Sequence, residues 1–303
     1  MAYVSSRELM TRAVQAGTVI PAFNIPYLPM VAPVAKAIRD CNSVGMIVVA
    51  RLEWEKFGSR SLEAIRDEYD RHKLPGHTRL HLDHVPVIDE DNKRADYEEI
   101  IGRAVAAGYE SVMVDGSRLP LEENIACTRG IVDMAHAAGV PVEAELGAVM
   151  GHEAGPLPPY EQLFASGKGF TDPEEARRFV AESGADWLSV AIGNIHGAIS
   201  AATKGLKKVA ARLSIEQLDR IHAAAKVPLV LHGGTGIRKE YIMESVRHGI
   251  AKINVATAIR QPYEQCIEKG IQSAQAAVYD AMLTVIRNDL DVQDSAKILK
   301  PEE

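Results

Sequence analysis

One pattern constrains this chain more than any other: a short apolar, β-rich run followed by a helical stretch, repeated eight times. The runs fall at 18–23, 45–50, 79–83, 111–115, 141–145, 187–192, 228–231 and 251–255. Several are apolar almost throughout (MIVVA, WLSVAI, PLVL), as parallel strands covered on both faces require. Between them lie helical patterns such as YEEIIGRAVAAG, DPEEARRFVAESG and SIEQLDRIHAAA. Thr171-Asp172-Pro173 and Ser214 offer helix starts, and glycines at 108, 139, 184 and 249 offer stops. Eight such units predict an α/β fold, a (β/α)8 TIM barrel. A doubly wound sheet is the alternative; it needs no fixed strand count and gathers its ligand at one switch point. No linker divides the 303 residues, so one domain is expected over 1–303. A helical extension from about 260 to 303 is expected to pack outside the barrel or against a neighbouring subunit. Two segments exceed a plain unit, 151–169 and 197–212, and long loops of this kind serve as lids or binding loops.

Composition excludes several classes. The net charge is −7 and no basic run stands out, which argues against nucleic acid or an anionic membrane as partner. No segment approaches the roughly 20 apolar residues of a membrane span, and MAYVSSRELM lacks a signal-peptide core. Cys41, Cys127 and Cys266 lie far apart without metal-type spacing, which suits reduced thiols and a cytoplasmic location.

Polar residues recur where the strands end: Asn24, Asp83-His84, Asp115-Gly116-Ser117, Glu145, His196, His232 and Asn254. A barrel gathers strand ends at one mouth, so residues remote in sequence become neighbours. A lone histidine there is ordinarily a hydrogen-bonding residue, but His84, His196 and His232 together match a catalytic zinc site with an open position. His81 lies on the face of Asp83 by strand alternation, away from His84, as an inner-barrel residue. His72, His77, His136, His222 and His248 read as surface residues. The run His232-Gly233-Gly234-Thr235-Gly236 follows a strand and is expected to open a helix, and Asn254-Val255-Ala256-Thr257 does the same after the next strand. Such turns bring backbone N–H groups to an anion. No Gly-Lys-Ser/Thr follows, so this is not a Walker loop.

At these residues the sequence resembles the class II fructose-bisphosphate and tagatose-bisphosphate aldolases. The matching segments are AFN (22–24), LHLDH (80–84), SVMVDGSRLPLEENI (111–125), VEAELG (142–147), AIGNIHG (191–197), LVLHGGTGI (229–237) and AKINVAT (251–257). The resemblance implies a Zn2+ ion on His84, His196 and His232, with Asp115 and Glu145 near an alternative metal position. It implies Asp83 as general acid/base and Glu153 as an acid on a mobile loop. Asn24, Gly197, Gly233, Gly234, Thr235, Asn254, Ala256, Thr257 and Arg260 are the implied substrate and phosphate contacts. A Na+ or K+ ion and a homo-oligomer, dimer or tetramer, are further expectations.

The sequence departs from the family at Ala50, where a serine is usual, and at Ser200, where a lysine is usual. Met150-Gly151-His152-Glu153 replaces a Gly-Gly-acid loop, and the region after Arg260 lacks family features. The expected reaction is aldol cleavage of a phosphorylated ketose through a zinc-stabilised enediolate. Fructose 1,6-bisphosphate or tagatose 1,6-bisphosphate is the default substrate, and another ketose phosphate is open. A zinc-dependent sugar-phosphate epimerase or isomerase is the alternative, and a non-catalytic binding barrel the third reading.

Overall fold

The structure, a computed structural model, describes residues 4–148, 160–194 and 211–300. Eight strands run in parallel: β1 (Ile20–Asn24), β2 (Gly45–Ala50), β3 (Thr78–Pro86), β4 (Ser111–Asp115), β5 (Val142–Leu146), β6 (Trp187–Val190), β7 (Leu229–Leu231) and β8 (Ile250–Val255). They pair in sequence order, and β8 closes onto β1 with Ala22 opposite Asn254. Helices alternate with the strands, and further helices follow at the C-terminus. This is the (β/α)8 barrel that the eightfold pattern predicts, and closure excludes the doubly wound sheet.

Two apolar clusters sit on either side of the strand wall. The larger lies between strands and helices and includes Phe23, Ile47, Leu82, Val114, Leu188 and Ile253. The smaller fills the lower barrel with Ile20, Met46, Trp187 and Val230. Leu9 and Met10, from the helix Ser6–Ala16, belong to this second cluster and cap it at the base. The aliphatic residues needed on both wall faces explain why the strands read as continuous apolar runs.

Helix punctuation follows local chemistry. Asp172 accepts from the N–H groups of Glu174 and Glu175 and caps Pro173–Ser183. Ser214 does the same for Gln217 at the start of Ile215–Ala225. Gly108, Gly139, Gly184 and Gly249 all have positive φ, the left-handed conformation that ends a helix without a Cβ clash.

Four boundaries differ from the sequence reading. The helix Tyr160–Ser166 lies inside the segment read as a loop. β6 stops at Val190, short of the run expected to reach 192, and His196 lies outside the described residues. The glycine run after β7 bends without opening a helix: Ile237 bridges to Ala211, and the helix starts at Lys239. Finally, Thr257–Cys266 completes the eighth unit, burying Ile259 and Tyr263, so the added helices begin at Ile271. Of these, Ile271–Thr284 packs on Thr257–Cys266 and on Val31–Asp40.

Candidate active site

Asp83 and His84 are adjacent in sequence, and strict strand alternation would point them to opposite faces. Both serve the mouth, because the β3–β4 register shifts between Leu82 and Val85. His84 itself takes φ +30°, a conformation costly for a non-glycine residue and characteristic of functional positions. Simple periodicity misses this bulge.

Asp83 is 1% exposed and is held by two amides. Asn24 Nδ2 donates to its Oδ2 at 3.0 Å, and Asn254 Nδ2 donates to both oxygens at 3.0 Å. Burial pushes this carboxyl up, but His84, Lys252, His232 and His81 together outweigh burial and hold it well below the usual range. Asn254 Oδ1 is buried with no hydrogen-bond partner among the described residues.

His84 and His232 meet edge to face, with centroids 4.3 Å apart and planes at 87°. His84 Nδ1 lies 3.2 Å from Asp115 Oδ2, and that aspartate also accepts from the Ser117 N–H and hydroxyl. His232 Nε2 lies 2.8 Å from Glu143 Oε1. Each ring thus spends one nitrogen on a carboxylate and turns the other inward, His84 Nε2 lying 2.5 Å from His232 Nδ1. A carboxylate behind each imidazole is the outer support that metal-binding histidines use. Asp83, His84 and His232 offer ligand atoms within 4.8 Å of one another, as do His84, Asp115 and Glu145. This donor set of imidazoles and carboxylates fits a zinc ion. His196, the third expected ligand, lies outside the described residues, as do Gly197 and Glu153.

Electrostatics separate the groups. Burial opposes charge on His84, yet Asp83, the Asp115 bond and Glu145 raise it to about 10. Burial and the neighbouring His84 lower His232. Burial and Asp115 push Glu145 up to about 8, with the Ser189 hydroxyl donating to it at 3.1 Å. Asp115 sits near 2: burial raises it, and His84 and Ser117 prevail.

The expected phosphate contacts divide. Gly233 has φ +70°. A Cβ on Gly234 would lie 2.5 Å from Ile253 Cγ2 and 2.9 Å from Asn254 O. The Gly234 N–H is spent on Asn254 O at 3.1 Å, so this glycine seats the loop on β8. Thr235 Oγ1 accepts from Ala258 N at 3.4 Å, which sets the loop against the start of Thr257–Cys266. Ala256 precedes that helix, so Thr257 stands at its positive end. Arg260 is paired with both oxygens of Glu264 at 2.8 and 2.7 Å, so its charge is largely matched locally.

Residues 4–300 match the family model of class II fructose-bisphosphate aldolases. The chain belongs to the class II fructose-bisphosphate aldolase family. The solved YdjI aldolase of Escherichia coli K12 is 27% identical, superposes with a TM-score of 0.75, and is covered over 97% of this chain and 100% of its own. A protein of Coccidioides immitis assigned as a fructose-1,6-bisphosphate aldolase is 28% identical, with a TM-score of 0.75 and coverage of 96% and 98%. The fructose-bisphosphate aldolase of Campylobacter jejuni shares the fold at 18% identity, with a TM-score of 0.71 over 96% of both chains. The present chain is therefore an aldolase, a carbon–carbon lyase, and this decides against the epimerase and non-catalytic readings. Class II aldolases are zinc-dependent in general and act on phosphorylated sugars. No helix among the described residues is long and apolar enough to cross a membrane.

Three buried groups of this aldolase escape the strand-end pattern. Glu143 and Lys252 lie one layer below the mouth at 0% exposure. Glu53, 7% exposed, accepts from Ala50 N at 2.8 Å, next to where the family serine is replaced. Burial pushes Glu53 up to about 8; the Ala50 bond opposes this and Asp83 adds to it. A lysine inside AKINVAT and a second glutamate inside VEAELG were the available signals, since neither charge belongs in a buried strand unpaired.

Proposed function

We propose that this aldolase cleaves and condenses a phosphorylated ketose, with Zn2+ held by His84, His232 and His196 and with Asp83 as the acid/base. The observation that carries the reading is the inward convergence of His84 Nε2 and His232 Nδ1 beside a doubly clamped Asp83. Zinc, when bound, supplies Lewis acidity at the substrate ketone. In cleavage Asp83 takes the proton of the substrate hydroxyl while the carbon–carbon bond breaks, and the bonding electrons stay with the ketone-bearing fragment. In condensation it returns that proton. The positive neighbours of Asp83 keep it ionised but make it a weak base, so its contribution rests on the fixed geometry given by Asn24 and Asn254.

The phosphate of a dihydroxyacetone-phosphate unit sits against Gly233, Thr235 and the positive helix end at Ala256-Thr257, with Gly197 completing the cradle and Arg260 at its edge. Gly234 supports that loop. Asp115 and Glu145 flank the metal as an alternative ligand pair, and Glu153 is the second acid. Fructose 1,6-bisphosphate and tagatose 1,6-bisphosphate are the default substrates. A homo-oligomer, dimer or tetramer, and a Na+ or K+ ion complete the proposal.

The test is a coupled assay of zinc-loaded protein on both bisphosphates and on ketose monophosphates, with and without a chelator. Chelator-sensitive release of dihydroxyacetone phosphate is expected. Protein carrying one zinc per chain that cleaves none of them would overturn the substrate class.

A further inference from the structure

One layer beneath the mouth lies a charge cluster that the proposed chemistry does not use. The Lys252 ammonium donates to the two Glu143 oxygens at 3.1 and 2.8 Å. Trp187 Nε1 donates to Glu143 Oε2 at 2.7 Å. An ammonium and an indole N–H can only donate, so they commit Glu143 to accepting. One role is then left for His232 Nε2, 2.8 Å from Glu143 Oε1: it carries the proton. A neutral imidazole protonated at Nε2 presents a bare lone pair at Nδ1, and Nδ1 is the nitrogen turned toward His84.

We infer that Glu143, anchored by Lys252 and Trp187, is the positioning residue that fixes the Nε2–H tautomer of His232 and so aims its Nδ1 at the metal position. Only the last clause rests on the proposed function; the tautomer follows from the donors around Glu143. His81, Asp83 and Glu143 also stand within metal-ligand range of one another. There, however, Lys252 Nζ already lies 2.8 Å from Glu143 and 3.9 Å from Asp83, so a side chain supplies the cation. A purely structural ion pair would tie β5 to β8 and leave the histidine tautomer indifferent to its loss.

Ring-nitrogen NMR of the metal-free, full-length protein tests this directly, because protonated and bare imidazole nitrogens have distinct 15N shifts. The expected result for wild type is a protonated Nε2 and a bare Nδ1 on His232. A protonated Nδ1 would overturn the inference, and this readout needs no variant to fold. Glu143→Gln cannot accept from all three donors, since Lys252 touches both oxygens and the amide must face either His232 or Trp187. It is expected to lose the Nε2–H tautomer and to weaken zinc binding about 10- to 100-fold in a chelator competition. An unchanged tautomer with unchanged zinc affinity would overturn the inference. The two readings fail separately. Protein with the expected tautomer but no zinc affinity contradicts the proposed function alone, whereas zinc-binding protein with a protonated Nδ1 contradicts this inference alone.

Discussion

Glu143 and Glu145 stand two residues apart on one face of β5, yet they occupy opposite electrostatic states. Burial pushes both up. At Glu143, Lys252, His232 and His81 outweigh it and hold the carboxyl well below its usual range. At Glu145, Asp115 adds to burial and the group reaches about 8. The lower layer carries its counter-charge within the chain, through a lysine buried beside the acid. The upper layer sets Asp83, Asp115, Glu145 and Glu53 around the His84 ring, with no lysine or arginine among the described residues as close to Glu145 as Lys252 is to Glu143, so it favours a cationic ligand. The barrel thus separates a self-neutralised base from an acid-rich mouth built to receive a metal and a polarised substrate.

Four changes would break or sharpen that contrast, the largest first. His232→Ala removes a proposed ligand from the upper layer. Metal content by elemental analysis and cleavage rate should fall together, the rate by about 10^3-fold or more, and retention of either would separate His232 from the metal. Lys252→Met strips the lower layer of its counter-charge and leaves Glu143 buried and uncompensated. Urea unfolding should show a loss of about 3–5 kcal/mol, and a loss near zero would mean the layer does not depend on this pair.

Glu53→Gln probes the upper layer through pH. In the folded metal-free protein Glu53 is raised to about 8 from an ordinary 4.5, so between those values the folded state binds more protons than the unfolded state. Its contribution is fully present below 4.5 and is lost as pH rises toward 8. Relative to the glutamine variant, wild-type stability should fall by up to about 1.4 kcal/mol per pH unit across that window. Parallel pH profiles would contradict the raised value. The smallest effect is expected from Thr235→Val, which removes the hydroxyl that orders the loop against Ala258. It should raise KM several-fold, by about 1 kcal/mol of binding, with kcat little changed.

The fold was legible because parallel strands need apolar residues on both faces, and no other element leaves eight such runs separated by amphipathic stretches. The strand-end residues Asp83, His84 and His232 were legible for the same reason, since closure gathers those ends. Two kinds of feature were not. A one-residue bulge that turns His84 inward leaves no periodic trace, so alternation alone would have separated it from Asp83. Pairings across long separations were equally silent: nothing near Lys252 names Glu143 as its partner, and nothing near Asn24 reveals that its amide holds Asp83. The pairing of Arg260 with Glu264, one turn away, was equally unannounced by the motif that drew attention to Arg260.

If Asp83 performs the acid/base step on a metal bound independently of it, its amide variant keeps the metal and loses the rate. The most direct test is the cleavage rate of Asp83→Asn at a verified metal content. Wild-type zinc stoichiometry with a rate lowered about 10^2- to 10^4-fold is expected. A metal-loaded Asp83→Asn protein that turns over at the wild-type rate would contradict it.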